Sequence, residues 1–384
     1  MDCEYNVRAL CVTLNYADIS GGTTKSVSNF AKALSADVLS FTSESLIPSA
    51  RHGSGITHIP ISDSLLGRLY GLPLSHQIRR ATQLARSYDV IICHMLFRYH
   101  NEWVARLGKP YYIVPHGSLD PYVFGYRRLR KELWLSTIGA RAFRRAEAVI
   151  CATRREQQKA FRGIGSDKAK VICWPVPKDV GEGLGRAEVR RNLGIVENDK
   201  VLLFIGRLHS MKRPVETIEA FAQANQDGIH LVIVGPEEQY TVSELQSAAM
   251  KCGARNVHIQ GPVFGDAKWD LYRAADCYIS LSARENFGYT VAEAMSAGLP
   301  VILSPGNDLG HELVGQECGW MLGTDERDEA VHAIRIFGDL NPEALKRMGE
   351  RGKRWITANA SFERFQSQLL ELISAPHVNR IDLR

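Results

Sequence analysis

Short unbroken apolar runs alternate with amphipathic stretches along most of this chain. Val7 to Leu14, Asp37 to Thr42, Ile56 to Ile61, Asp89 to Cys93, Tyr111 to Val114, Val149 to Ala152 and Val171 to Trp174 are such runs in the first half. Val201 to Ile205, His230 to Val234, Val257 to Gln260, Cys277 to Ser282 and Pro300 to Leu303 follow in the second. Runs this short, bounded by turn residues, read as strands buried on both faces. Helical spacing fills the gaps at Thr23 to Leu34, Gln77 to Arg86, Asn101 to Leu107, Pro214 to Asn225, Thr241 to Cys252 and Lys268 to Ala275. From Asn341 onward, Leu345, Met348, Trp355, Phe362, Phe365, Leu369 and Leu372 repeat at helical intervals. Strand and helix in alternation predict an α/β fold with doubly wound parallel sheets.

The stretch Ala283 to Leu303, ARENFGYTVAEAMSAGLPVIL, concentrates the chemistry. Thr290 suits a helix N-cap, with Glu293 at the capping-box position, Gly298 at the stop and Pro300 beyond it. On that reading Glu293 caps its own helix. Glu285 has no such structural task. It stands just past a strand's carboxyl end, where open α/β sheets bind ligands, and Phe287 and Gly288 follow with backbone that a ligand can approach.

At 384 residues the chain exceeds one comfortable core and predicts two domains of about 180 residues each. Pro175-Val-Pro177 and the glycines at 181, 183 and 185 mark the boundary, giving domains 1–180 and 181–365 and a tail 366–384. An apolar fraction of 45% with 23% charged residues is ordinary for a soluble globular protein. The eight cysteines include no C-x-x-C pair and read as reduced thiols. No apolar run reaches the roughly 18 residues that span a bilayer, and Asp2 and Glu4 do not suit a signal region, so the expected location is the cytoplasm.

The net charge of +5 hides an asymmetry: residues 1–180 carry 25 Lys and Arg against 14 acids. A basic half suits nucleic acid, an anionic acceptor or a membrane surface. No zinc-finger, helix-turn-helix or aromatic RNA-binding pattern accompanies it, so no nucleic acid partner is expected. Tyr126 to Arg145 reads as one helix with an apolar stripe of Leu129, Leu133, Trp134, Ile138 and Phe143. Two readings stand: a core-packed helix with a solvated basic face, or a peripheral contact of Arg127, Arg128, Arg130 and Lys131 with anionic lipid at the inner face of a membrane.

Three further motifs sit at predicted strand ends. Gly21-Gly22 lies between a strand and a helix, where it is either a simple turn or an approach for phosphate at a helix N-terminus. The dinucleotide G-x-G-x-x-G fingerprint is absent, which disfavours a nicotinamide oxidoreductase. His116, in Pro-His-Gly, is either a structural imidazole or a group exposed at the ligand edge. Arg207 and Lys212 bracket the loop before a helix that begins at Pro214, where dipole and cations together make an anion site.

Glu285 and Glu293, with the Ala-Met-Ser-Ala-Gly-Leu-Pro segment that follows, resemble the acidic signature of family 4 of the retaining glycosyltransferases, which use nucleotide sugars. Gly21-Gly22, Pro115-His116-Gly117 and the Gly206-Arg207 to Lys212 spacing match the family in the same order. The resemblance implies the GT-B fold, two Rossmann-like domains facing a cleft, with an acceptor-binding first domain and a donor-binding second. It implies that Arg207 and Lys212 hold the donor diphosphate and that Glu285 contacts sugar hydroxyls. Glu293 would hold the ribose, Val263 and its Gly261-Pro262 neighbourhood the base, Gly21 and Gly22 would face the diphosphate, and His116 would lie beside the reacting sugar. Gly306 to Glu312 departs from the family's Gly-Gly-x-x-Glu loop, which leaves the contacts there open. The last helix is expected to cross back to the first domain. No Asp-x-Asp occurs, so neither a metal nor another cofactor is expected. The implied activity is a metal-independent hexose transfer from a nucleotide-diphosphate sugar to a glycan or lipid-linked acceptor, as in bacterial-type surface polysaccharide synthesis. An epimerase or hydrolase of nucleotide sugars, or a non-catalytic scaffold of the same fold, are the alternatives.

Overall fold

The computed structural model describes residues 7–16, 21–43, 55–125, 128–160, 168–178, 183–324 and 326–375. The chain forms two compact units, Met1–Pro175 with Phe362–Arg384, and Val176–Ser361. The division therefore falls a few residues before the expected boundary at 180 on one side, and before 365 on the other.

The first unit holds strands β1 (Ala9–Leu14), β2 (Asp37–Ser43), β3 (Ile56–Ile61), β4 (Val90–His94), β5 (Tyr111–Val114), β6 (Ala148–Cys151) and β7 (Ala169–Val171). They form one sheet in the order β3-β2-β1-β4-β5-β6-β7, with every ladder parallel. Because helices cover both faces of such a sheet, its central strands are buried and mostly apolar. All five residues of β4 are buried. The core gathers Leu10, Val12, Leu39, Phe41, Ile91, Ile113 and Val149 from the strands with Trp103, Trp134 and Phe143 from the helices.

The second unit holds β8 (Lys200–Ile205), β9 (Ile229–Val234), β10 (Val257–Gln260), β11 (Cys277–Ser280), β12 (Val301–Leu303) and β13 (Gly319–Met321). Their order is β10-β9-β8-β11-β12-β13, again parallel. In both sheets the strand order reverses at the centre, between β1 and β4 and between β8 and β11. Outside the carboxyl ends at such a reversal lies the usual ligand crevice of an open α/β sheet.

The helix Phe362–Ser374 buries Phe365, Leu369 and Ile373, one residue per turn. Phe365 meets Phe30 edge-on at 5.0 Å, Gln366 donates to the Ala33 carbonyl at 2.9 Å and the Tyr112 hydroxyl donates to the Leu372 carbonyl at 3.1 Å. These contacts make the last helix part of the first unit.

Four local expectations need correction. The stretch expected as one helix from Tyr126 to Arg145 is described from 128 onward as Arg128–Trp134, a π turn Leu135–Gly139 and Ala140–Arg145. The expected stripe splits already before that turn: Leu129 and Leu133 are 83% and 65% exposed while Trp134, in the same helix, and Phe143, after the turn, are buried. Gly139 lets the turn pass close to Trp134, because a Cβ there would stand 2.4 Å from its ring. The strand expected at Val171 to Trp174 is β7, two residues earlier. The apolar residues after it are buried by aromatic packing, with Trp174 edge-on to Phe30 at 5.2 Å, rather than by a ladder. β11 ends at Ser280, not Ser282. Finally, Gly288 and not Thr290 precedes the helix Tyr289–Ser296, and no side chain caps it.

Candidate functional site

At the carboxyl edge of the second sheet, three loops are tied together by main-chain hydrogen bonds. The loop after β8 meets the loop after β11 where Ala283 N donates to the Met211 carbonyl at 2.9 Å. The loop after β11 meets the loop after β12 through Glu285, whose N–H donates to the Gly306 carbonyl and whose carbonyl accepts from Asp308 N–H, both at 2.8 Å. A Cβ at Gly306 would lie 2.3 Å from the Ser282 carbonyl oxygen, so only glycine allows the two loops so close. The departure from the family pattern at Gly306 to Glu312 takes physical form here: Asn307 is buried, its Nδ2 donates to the Ser280 carbonyl at 2.9 Å, and Asp308–Glu312 is helical.

Lys212 ends the 3-10 turn Ser210–Lys212, whose first N–H groups are held by His209 Nδ1 accepting from Met211 N–H at 2.9 Å. Its Nζ donates to Glu285 Oε2, and both side chains are largely covered, at 16% and 20% exposed. Burial first, then the neighbouring Arg207 and Arg284, pulls the Lys212 ammonium down to about 7. The Glu285 carboxylate works the other way, favouring the charged form. Arg207 lies at the rim, and its Nη1 donates to both oxygens of Glu238 at 2.8 and 2.6 Å. That pair is nearly half exposed, so it holds the guanidinium by only about 0–1 kcal/mol and yields it easily to a stronger anion.

Phe287 is buried and packs edge-on to Tyr289 at 5.2 Å. Gly288 has φ 72, in the left-handed region, and a Cβ there would press on Glu285 Cγ at 3.0 Å. This glycine turns the backbone so that the Glu285 side chain stands against Lys212. Glu293 lies one helical turn onward and is 3% exposed. It accepts from Lys268 Nζ and from the Tyr272 hydroxyl at 3.1 Å. Its expected capping role is thereby replaced by a buried ion pair. Val263 is half-buried in the loop between β10 and the helix Asp266–Ala274. Its neighbour Phe264 is 76% exposed.

At the carboxyl edge of the first sheet, His116 follows β5 with φ 51. The buried carboxylate of Glu156 fixes the turn, accepting from Gly117 N–H at 2.6 Å and from Ala152 N–H at 2.7 Å. His116 Nε2 lies 3.0 Å from His94 Nδ1 and the two rings stack 5.2 Å apart. Burial pulls His116 down to about 4 and His94 well below its usual value, so both rings are neutral near pH 7. Gly21 has φ 64 and opens the helix Gly22–Leu34 with no side-chain cap. The first-turn N–H groups of that helix therefore have no side-chain acceptor at Gly21.

The structure thus brings Lys212, Glu285, Gly288 and Arg207 to one edge of the second unit. Glu293 pairs with Lys268 and accepts from Tyr272. Lys268, Glu156 and His94 are residues that sequence reasoning missed. For Glu156 a signal existed, since Thr153 stands three residues earlier at an N-cap spacing, and Glu156 N–H donates to Thr153 Oγ1 at 3.0 Å. Lys268 and His94 carried none. Of the basic residues, Arg128, Arg130 and Lys131 are described. Arg127 lies outside the described residues.

The chain matches the family described as Glycosyl transferases group 1 over residues 185–355 and that described as Glycosyltransferase Family 4 over residues 20–180. It is 29% identical over 168 residues to D-inositol 3-phosphate glycosyltransferase of Xylanimonas cellulosilytica, covering 41% of this chain and 40% of that one. It is 34% identical over 198 residues to an uncharacterized glycosyltransferase of Methanocaldococcus jannaschii, covering 50% of each. The chain thus spans half or less of the length of these curated relatives. Anabaena HepE, solved in complex with UDP-glucose, superposes with a TM-score of 0.75 at 20% identity over 96% of this chain and all of that one, which shows the shared GT-B fold of two parallel-sheet α/β units. With its two halves matching the two family descriptions in order, the chain belongs to the group 1, family 4 glycosyltransferases.

Proposed function

We propose that this chain is a retaining, metal-independent hexosyltransferase that moves a hexose from a nucleotide-diphosphate sugar to a glycan or lipid-linked acceptor. The observation that carries the reading is the buried pairing of Lys212 with Glu285 at the reversal point of the second sheet. A cation and a carboxylate held together at this edge are matched to the two parts of a sugar diphosphate. The diphosphate takes Lys212 and Arg207, and the hexose hydroxyls take Glu285 as acceptor.

In the transfer, the bond between the anomeric carbon and the β-phosphate oxygen breaks, with its electron pair leaving on the diphosphate. The acceptor oxygen bonds to the same face of that carbon, and its proton goes to the leaving phosphate. Charge grows on the β-phosphate as the bond breaks, so fixed cations stabilise the transition state more than the bound donor. A neutral His116, with Nε2 engaged by His94, offers Nδ1 to a sugar hydroxyl as a hydrogen-bonding group. Glu293 takes the donor ribose, with Lys268 released to the bulk or to phosphate, and Val263 with the backbone around it takes the base. Gly21 and Gly22 present N–H groups to the diphosphate.

HepE's complex with UDP-glucose supports a nucleotide-sugar donor, and the resemblance to the retaining family's acidic signature supports retention. Exposed Leu129 and Leu133 beside Arg128, Arg130 and Lys131 support a peripheral contact with anionic lipid, as for an enzyme acting on a lipid-linked acceptor at the inner face of a membrane. Among the described residues no helix is long and apolar enough to cross a membrane. Calorimetry against a panel of nucleoside diphosphates, followed by product analysis with the preferred nucleotide sugar, tests the proposal. Binding of one base series and acceptor-dependent sugar transfer are expected. No affinity for any nucleotide sugar at millimolar supply overturns it, and turnover of donor equally fast without acceptor turns the reading toward hydrolysis or epimerisation.

A further inference from the structure

A cavity of about 390 Å³ opens in the first unit, within the range of small-molecule sites. Its walls belong to the reversal point of the sheet: Leu14 ends β1, and Met95, Phe97 and Arg98 follow β4. Trp134, Leu133, Thr137 and Ile138 close the opposite side. Most of this surface is aliphatic or aromatic. Three cations, Arg98, Arg130 and Lys131, also line it, and the lining residues include no carboxylate. Arg98 and Arg130 both donate to the Leu69 carbonyl. The Arg130 guanidinium lies 4.3 Å over the Tyr70 ring, and Lys131 Nζ lies 5.5 Å from the centre of Phe97. Positive charge is therefore gathered at one side of an apolar hollow.

Two features show that this hollow is built at a cost. Met95 and Phe97 hold φ of 68 and 67, a left-handed backbone that costs side-chain-bearing residues about 1–3 kcal/mol each and clusters at ligand sites. The opposite wall contains the π turn Leu135–Gly139, a rare widening that also concentrates at functional sites. Leu133, 65% exposed just before that turn, also lines the cavity.

We infer that this cavity binds the proximal aliphatic chain of an acceptor lipid phosphate, with Arg98, Arg130 and Lys131 holding the phosphate. The inference deepens the proposed function and rests on its lipid-linked acceptor. Apolar walls alone would suit any hydrocarbon, but three cations without a lining acid select an anionic head. Arginine in particular matches the phosphate fork.

The test uses the full chain and dodecyl phosphate below its micelle concentration, followed by calorimetry. Dodecyl phosphate is expected to bind at least about tenfold more tightly than a neutral dodecyl glycoside, the scale of one charge-assisted hydrogen bond; inorganic phosphate should not bind measurably. Thr137→Trp, which fills the cavity from an exposed position, should abolish dodecyl phosphate binding. Arg130→Ala should weaken it by about tenfold or more. Nucleotide-sugar affinity should be unchanged in both variants, which also shows that they are folded. Loss of nucleotide-sugar binding by the unmodified chain would sink the proposed function itself. Intact nucleotide-sugar binding with no uptake of dodecyl phosphate, or with uptake indifferent to Thr137→Trp, would overturn the cavity assignment alone.

Discussion

His94 Nδ1 and His116 Nε2 share one hydrogen bond of 3.0 Å between two stacked imidazoles, the first buried and the second half-buried. One ring donates and the other accepts, and neither carries charge near neutrality. The pair therefore fixes which nitrogen of His116 faces outward. His94→Phe keeps the aromatic packing against Phe30 but removes that bond. The expected result is a fall in kcat of about tenfold or more, the scale of one lost buried hydrogen bond, with nucleotide affinity unchanged. An unaltered kcat would show that the pairing is only structural.

The same burial has a pH consequence. His116 titrates at about 4 in the fold against an ordinary 6.5, so the unfolded chain takes up a proton before the native one does. Its contribution to stability is present above about pH 6.5 and is lost progressively as pH falls toward 4. The imidazole proton signals of His116 should not shift between pH 8 and about 5, and acid unfolding should begin in that lower window. A midpoint near 6.5 for His116 would contradict the buried, neutral pair.

Lys212 carries a second pH signature with the opposite sense for function. A free ammonium lowered to about 7 must be charged to hold a diphosphate. Affinity for a nucleotide sugar, whose diphosphate does not titrate near neutrality, should weaken as pH rises through about 7, by up to about tenfold per unit until the bound-state value is reached. Lys212→Arg should flatten the profile, since a guanidinium stays charged. Lys212→Ala should lower turnover by about a hundredfold or more, the loss of about 3 kcal/mol of charge stabilisation. A fall of less than about fivefold would remove Lys212 from the assigned role.

Glu285 and Glu293 should separate by what they cost. Glu285→Gln keeps the loop hydrogen bonds, which run through the main chain, and should abolish transfer while leaving nucleoside diphosphate binding intact. Glu293→Gln should weaken nucleotide binding and destabilise the second unit, because it strands the Lys268 ammonium in a mostly covered position. Adding Lys268→Met should restore stability without restoring nucleotide affinity. Recovery of both would assign Glu293 to structure alone.

Much of this architecture is legible in the sequence because buried parallel strands are mostly apolar on both faces and loops begin where the apolar run ends. Ile56–Ile61, Tyr111–Val114 and Val257–Gln260 match the strands residue for residue. β13 was not readable: its three residues are half-buried at the sheet edge and begin with a glycine, so hydropathy shows nothing. The pairing of Lys212 with Glu285, 73 residues apart, depends on the sheet order and not on local spacing. The capping reading of Glu293 failed because a long-range partner, Lys268, was invisible in the local pattern. The expected stripe from Leu129 to Phe143 failed because Leu133 and Trp134 are neighbours on one helical turn and only Trp134 faces the core, a choice of face that periodicity alone does not make.

The last helix predicts a stability effect. Phe365 is fully buried against Phe30 and Trp174, and it is contributed by a segment far from the rest of the first unit in sequence. Phe365→Ala should destabilise that unit by about 3–5 kcal/mol and lower its denaturant midpoint. Calorimetric affinity for nucleotide in the second unit should hardly change. Removal of the segment from Phe362 onward should expose the same aromatic cluster and abolish cooperative unfolding of the first unit.

Leu129 and Leu133, both exposed, lie on a segment whose neighbours Arg128, Arg130 and Lys131 are cationic. Apolar insertion and charge attraction would then act together at an anionic bilayer, each basic residue adding about 1 kcal/mol near the surface. Co-sedimentation should show binding to vesicles with acidic lipid and little to neutral ones. Leu129→Glu should abolish most of it, because that side chain is 83% exposed and has no core contact to lose, so folding is unaffected. Raised salt should weaken binding as the surface charge is screened. Equal sedimentation with neutral and acidic vesicles, or no effect of Leu129→Glu, would return this segment to the alternative reading, a helix whose basic face is merely solvated.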